Sequence, residues 1–332
     1  MVRRATITGL GKYVPPKVLT NFDLEKMVDT TDEWITRRVG IKERHIVEGE
    51  MTSSEMGIEA ARKALDMSGL SAEKLDLIIV ATVTPDMLFP ATACILQEKL
   101  GAVGAATFDL EAGCSGFVYG LAVAAQFIET GMYANALVVG SETLSKITDW
   151  EDRDTCVLFG DGAGAAVLQA TEQGGMLAFE LGSDGSGAKS LYLPGGGSLN
   201  PSNQKTIAEK QHFIKMEGNQ VFKFAVKTMG QASLDVLAKA GLLPEDVDLL
   251  IPHQANTRII EAAAKRLNLP GEKVFVNLAK YGNTSSASVP IALLEAHQRE
   301  LIKNGDIIVL VAFGAGLTWA STVMEWNEGV KT

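Results

Sequence analysis

The chain alternates between continuous apolar runs of strand length and amphipathic stretches of helix length. Residues 5–14 read as a strand and turn. Residues 21–39 carry a charged, helical pattern. A helix is expected over 52–68, capped by Ser53 or Ser54 and ended by Gly69. The run 75–81, Leu-Asp-Leu-Ile-Ile-Val-Ala, is apolar nearly throughout, which suits a strand covered on both faces. A helix near 91–100, a strand at 105–110, a nearly all-apolar helix over 117–128 and strands at 136–140 and 162–168 follow. The Gly-rich stretch 182–202 reads as a loop. Strands alternating with helices predict an α/β fold.

The second half repeats this order. Residues 60–79, AARKALDMSGLSAEKLDLII, align with 232–251, ASLDVLAKAGLLPEDVDLLI, at a shift of 172 (232 minus 60). At that shift Gly69-Leu70 falls on Gly241-Leu242, Asp76 on Asp248, and 137–140 on 309–312. Cys114 falls on Ser286, within Tyr281-Gly282-Asn283-Thr284-Ser285-Ser286-Ala287-Ser288. Several matches at one offset predict two copies of one βαβ-rich unit, packed as a pseudo-dimer with the site where they meet. The boundary is expected near 171–175, giving halves 1–172 and 173–332.

Composition narrows the class. The 332 residues suffice for two lobes with a full core. A net charge of −10 disfavours nonspecific nucleic-acid binding. Three separated cysteines, Cys94, Cys114 and Cys156, do not form a disulfide framework and fit a reducing, cytoplasmic setting. The start has no signal-peptide pattern, and no apolar run approaches the ~20 residues of a membrane span. No Cys/His spacing suggests zinc. Phe159-Gly160-Asp161-Gly162-Ala163-Gly164 lacks the Gly-Lys-Ser/Thr ending of a phosphate loop and leads into a strand, so close backbone packing explains it better.

Cys114 lies between Gly113 and Ser115 at the start of the apolar helix. The positive end of a helix dipole should ease loss of its proton and make it a nucleophile. A small buried packing residue is the other reading. His253 follows the strand around 249–251, where α/β folds line their crevice, although a strand-end histidine can also be structural. His45, His212 and His297 lie in polar surroundings and are expected to be solvated. Asn283 follows Gly282 in what can be an ordinary turn, yet its segment is the repeat mate of the cysteine loop. A thiolate attacking an acyl carbonyl needs N–H donors for the oxyanion. The Cys114 amide and the loop Gly314-Ala315-Gly316 are candidates. His253 and Asn283 as paired neutral donors suit an enolate.

These motifs, with Pro252-His253-Gln254-Ala255-Asn256-Thr257-Arg258-Ile259 and Phe313-Gly314-Ala315-Gly316-Leu317-Thr318-Trp319, resemble the β-ketoacyl-[acyl-carrier-protein] synthase III family over essentially the whole chain. The resemblance implies a thiolase-like fold, a duplicated unit in five layers (αβαβα), and a homodimer. It implies Cys114 as the acyl-accepting nucleophile, His253 and Asn283 as the decarboxylating pair, and an oxyanion hole from Cys114 and Ala315. Trp34 and Arg153 match positions that sandwich the adenine of coenzyme A, with Thr30 and Arg38 nearby and Asn219 along the pantetheine arm. Phe89 matches a residue reaching the partner's acyl pocket. Lys223, Arg258 and Lys265 form the implied docking patch for an acidic carrier protein; Arg258 and Lys265 are seven apart, hence on one helix face. The implied substrates are a short acyl-CoA, possibly branched, and malonyl-carrier protein, with no metal or other cofactor. Gly113 and Ala315 depart from the more usual alanine and glycine, which leaves primer preference open. Other thiolase-fold enzymes (polyketide starter synthases, HMG-CoA synthase) are alternatives. So are a Cys-His-Asn hydrolase and an inactive acyl-binding protein.

Overall fold

The computed structural model describes residues 3–327. Two mixed sheets share one strand order. In the first, Arg4–Tyr13, Gly162–Thr171, Asn135–Glu142, Leu77–Ala81 and Ala106–Leu110 lie side by side. The last three run parallel, and the others pair antiparallel. In the second sheet Gly175–Ser183, Thr318–Glu325, Ile307–Gly314 and Leu249–Pro252 repeat that order and those directions. A parallel bridge between Leu250 and Val274 stands where the fifth strand would be. The chain passes from one sheet to the other between Thr171 and Gly175.

The helices make this a five-layered α/β protein. Gly116–Glu129 and Ser288–Gln298 lie between the sheets, and Phe117, Leu121, Leu293 and Ala296 share one core with residues of both. Ser53–Ser68 and Thr92–Leu100 cover the outer face of the first sheet. Gly218–Ala240 and Thr257–Arg266 cover the second. Every residue of Leu77–Ala81 is buried, because helices occupy both faces of its sheet.

The 172-residue shift is kept closely around the inner helices. The short 3-10 turns Gly113–Ser115 and Ser285–Ala287 correspond at that shift, as do the strands Asn135–Glu142 and Ile307–Gly314. Elsewhere the expected boundaries move. The stretch 21–39 divides into Asn21–Leu24 and Asp32–Val39, because Thr31 caps a new helix by accepting from the Trp34 amide at 3.1 Å. Thr52, not Ser53 or Ser54, caps the next helix in a reciprocal box with Glu55. The Ser53 hydroxyl instead donates to Thr84 O at 2.6 Å, and that of Ser54 to Asp86 at 2.6 Å. The stretch expected as a loop over 182–202 begins inside the strand Gly175–Ser183; beyond it the chain is irregular apart from a short turn and the two-residue strand Leu191–Tyr192, paired with Lys215–Met216.

Candidate active site

Cys114 and Asn283 sit on the facing starts of the two inner helices, and His253 follows the strand Leu249–Pro252. All three line one cleft of about 450 Å3. Asn283 is held by backbone from the other half. Its amide donates to Leu158 O at 2.9 Å, and the Gly160 amide donates to Asn283 O at 3.0 Å. Its side-chain Oδ1 accepts from the Ser285 amide at 2.9 Å, which turns the NH2 end of the amide toward the cleft.

His253 is 1% exposed. Its Nδ1 lies 2.6 Å from Ser288 Oγ, which accepts from the Gln254 amide at 3.4 Å. The Ser288 proton therefore points to Nδ1, and the ring proton is assigned to Nε2, which has no hydrogen-bond partner among the described residues. Burial pushes the His253 pKa down to about 3, so the ring is a neutral donor at neutral pH. Gln254 fixes the intervening chain: its side chain donates to Pro252 O and Phe275 O and accepts from the Asn277 and Leu278 amides.

The Cys114 environment overturns the expectation of an acidic thiol. Burial pushes its pKa up to about 12. The Ser285 hydroxyl bond lowers it, and the Glu142 and Glu111 charges raise it again. A helix terminus contributes at most about 2 kcal/mol in favour of the anion, and desolvation in this pocket exceeds that. The resting thiol is neutral.

The Gly314–Gly316 loop lies against the nucleophile. A side chain at Gly314 would place its Cβ 2.3 Å from the Cys114 amide nitrogen, and one at Gly113, where φ is +53°, 2.7 Å from the Ala315 nitrogen. Only glycine permits this approach. Thr318 Oγ1 ties the loops together, 2.8 Å from Ala112 O, 2.9 Å from Ala315 O and 2.6 Å from Ser115 Oγ.

Trp34, Arg38, Asn219 and Arg258 line the same cleft. The Arg153 guanidinium stacks on the Trp34 ring at 4.3 Å, and Arg38 lies at 5.5 Å. Adenine between Trp34 and Arg153 would need roughly 7 Å, two contacts of about 3.5 Å, so the slot is closed here. Thr30 is buried outside the cleft, and its hydroxyl has no hydrogen-bond partner among the described residues. Arg258 packs over the Phe222 ring at 4.9 Å, beside the exposed Lys223; Lys265 is exposed near the far end of the Arg258 helix. Phe89 is 84% exposed, next to Leu88 at 80%.

Of the other histidines, His212 is exposed. His45 and His297 are half-buried rather than solvated: His45 Nδ1 lies 2.6 Å from Pro15 O, and His297 packs on Trp326. Sequence reasoning missed Ser288, Ser285 and Glu142. The repeat carried a signal for the last, since the mate of Glu142 is Gly314, an acid in one copy and none in the other.

Residues 108–185 and 237–326 match the family descriptions 3-Oxoacyl-[acyl-carrier-protein (ACP)] synthase III and its C-terminal region. The β-ketoacyl-[acyl-carrier-protein] synthase III of Caldanaerobacter subterraneus subsp. tengcongensis is 62% identical over 325 residues, 98% of each chain. The chain belongs to the β-ketoacyl-[acyl-carrier-protein] synthase III family. The synthase III of Desulfitobacterium hafniense Y51 is 60% identical over 97% of this chain and 98% of its own. The crystal structure of the Aquifex aeolicus VF5 3-oxoacyl-[acyl-carrier-protein] synthase III superposes with a TM-score of 0.90 at 50% identity, covering 97% of this chain and 100% of that one. The fold is thus the thiolase-like fold of this family, and the chain is an acyl-transferring condensing enzyme. No helix among the described residues is long and apolar enough to cross a membrane.

Proposed function

We propose that this synthase III initiates fatty-acid synthesis by decarboxylative condensation of an acyl-CoA primer with malonyl-[acyl-carrier protein], through an acyl-Cys114 intermediate. The reading rests on the convergence of Cys114, His253 and Asn283 on one cleft. Cys114 attacks the thioester carbonyl, the oxyanion is held by the Cys114 and Ala315 amides, and coenzyme A leaves. Malonyl-carrier then binds. His253 Nε2–H and the Asn283 NH2 donate to its thioester oxygen as carbon dioxide departs, and the enolate attacks the acyl carbonyl. Two neutral donors stabilise a charge that exists only after decarboxylation begins, which lowers the barrier to that step. The products are 3-oxoacyl-carrier protein, coenzyme A and carbon dioxide.

Coenzyme A lies along the cleft between Asn219 and Trp34, its adenine displacing Arg153 from the Trp34 face, with Arg38 and Thr30 nearby. The carrier protein docks on Lys223, Arg258 and Lys265. Residues 1–172 and 173–332 are the two thiolase-like halves. Exposed Phe89 packs into a second copy of the chain, making a homodimer that works in the cytoplasm with no metal. Incubation with a panel of acyl-CoAs, followed by peptide mass spectrometry, should find the acyl group on Cys114. No adduct with any primer, in protein that releases no 3-oxoacyl product, refutes the assignment.

A further inference from the structure

The His253 and Asn283 donors are joined by one short helix, Leu278–Tyr281. Asn283 stands two residues beyond its end. At its start the Asn277 and Leu278 amides donate to Gln254 Oε1 at 3.0 and 3.1 Å, and Gln254 is the chain neighbour of His253. The spacing and angle of the two donors therefore depend on where this helix sits.

Glu295 grips the helix at both ends. Its Oε2 accepts from Asn277 Nδ2 at 3.1 Å, just before the first turn, and its Oε1 accepts from the hydroxyl of Tyr281, the last residue. Lys12, on the edge strand Arg4–Tyr13 of the first sheet, donates to the same Oε1 at 2.5 Å and to the Tyr281 oxygen at 3.1 Å. Glu295 also shares a helix with Ser288, whose Oγ lies 2.6 Å from His253 Nδ1. The two are seven residues apart, about two turns, and so lie on one face. That face reaches His253 directly at one end and the Leu278–Tyr281 helix at the other.

The protonation states follow from the surroundings. Burial opposes the charge on Glu295, but contacts from Lys12, Tyr281 and Asn277 outweigh it and hold the carboxyl below its ordinary pKa. Burial, the Glu295 hydrogen bond and the Glu295 charge push Tyr281 up, so its hydroxyl keeps the proton it donates. The Glu295 side chain is 8% exposed and that of Lys12 22%. A buried ion pair adds little net stability over apolar groups of the same shape, so stability alone does not account for this one.

We propose that Glu295 is a positioning residue for decarboxylation, fixing the distance and angle between the His253 and Asn283 donors by clamping the Leu278–Tyr281 helix at both ends. Charge on the thioester oxygen develops only as carbon dioxide leaves, and a donor displaced by about 1 Å at that moment costs on the order of 100-fold in rate. The Cys114 and Ala315 amides are held by a different set of contacts, the close approach of Gly314 and the Thr318 hydroxyl. Acylation is therefore outside the reach of Glu295.

The inference rests on His253 and Asn283 as the decarboxylating pair, and the test separates the two. Release of labelled carbon dioxide from malonyl-carrier protein is measured beside acylation of Cys114 by acyl-CoA. Glu295→Met should lower kcat for decarboxylation about 30-fold, with KM for malonyl-carrier protein and the acylation rate each within about threefold of wild type. Glu295→Gln keeps an acceptor for Lys12 and Tyr281 and should recover to within about fivefold of wild type. Tyr281→Phe and Asn277→Ala each free one end of the helix and should each cost about fivefold; Tyr281→Phe added to Glu295→Met should cost less than about twofold more, because its partner is already gone. Glu295→Met decarboxylating within threefold of wild type, equal losses in decarboxylation and acylation, or an undiminished Tyr281→Phe effect in the Glu295→Met background overturns the proposal. If Glu295→Met does not fold, Tyr281→Phe and Asn277→Ala at the wild-type decarboxylation rate overturn it. His253→Ala decarboxylating at the wild-type rate overturns the donor pair itself.

Discussion

Asn283→Ala tests the division of labour in the cleft. The Asn283 side chain has two ends with separate duties. Oδ1 accepts from the Ser285 amide at 2.9 Å, and the NH2 end faces the cleft. Truncation removes one preorganised donor to the developing enolate, which in comparable sites costs 10²–10³-fold in rate, about 3–4 kcal/mol. It also strands the Ser285 amide, in a residue 2% exposed, for about 1–3 kcal/mol of stability. Asn283→Asp separates the two effects. The aspartate keeps an acceptor for Ser285 but presents an oxygen to the enolate, so stability should stay nearer wild type while activity falls at least as far. The assay is release of labelled carbon dioxide from malonyl-carrier protein, run beside acylation of Cys114 by acyl-CoA. Decarboxylation should fall by two to three orders of magnitude in both variants, with acylation changed less than tenfold. Asn283→Ala decarboxylating within threefold of wild type would refute the donor role.

The His253 ring, with a folded pKa near 3 against 6.5 unfolded, binds fewer protons in the folded state between those values. Stability should therefore fall as pH drops from 6.5 toward 3, by up to roughly 5 kcal/mol from this group; denaturant titrations that show no smaller acid loss in His253→Asn would count against it. For the same reason, the decarboxylation step should show no break near pH 6.5. Gly314→Ala, which drives a Cβ to 2.3 Å from the Cys114 nitrogen, should cut acylation at least 100-fold, read as adduct formed per second; normal acylation would show that the loop does not shape the oxyanion site. Arg258→Glu should raise KM for malonyl-carrier protein about tenfold and spare acyl-CoA; equal loss for both substrates in steady-state kinetics would move Arg258 into the coenzyme A path.

The repeat was legible because the inner helices and their strands are built from apolar runs and small residues whose order survives in both copies. It put Cys114 opposite the Asn283 segment from residue types alone. What was not legible depends on long-range contacts. Thr31 and Thr52 cap their helices where serines or an unbroken pattern were expected, since local charge does not reveal where a turn intervenes. The acidity of Cys114 was misjudged because a helix start is visible in sequence, whereas the desolvation that outweighs it comes from elements more than a hundred residues away. Glu142 lies just beyond the strand expected over 136–140 and drew no reading of its own. Only the fold shows that it closes on Ser285 and Ser286 of the other copy.

The buried, neutral Cys114 also bears on how long the enzyme lasts. With a pKa near 12, on the order of one molecule in 10⁵ carries a thiolate at pH 7 between turnovers. Peroxides and stray electrophiles react with thiolates. Between turnovers the sulfur is thus shielded from the oxidative losses that shorten the life of low-pKa cysteine enzymes, and inhibitors that enter the cleft and trigger deprotonation themselves should outpace simple alkylating agents.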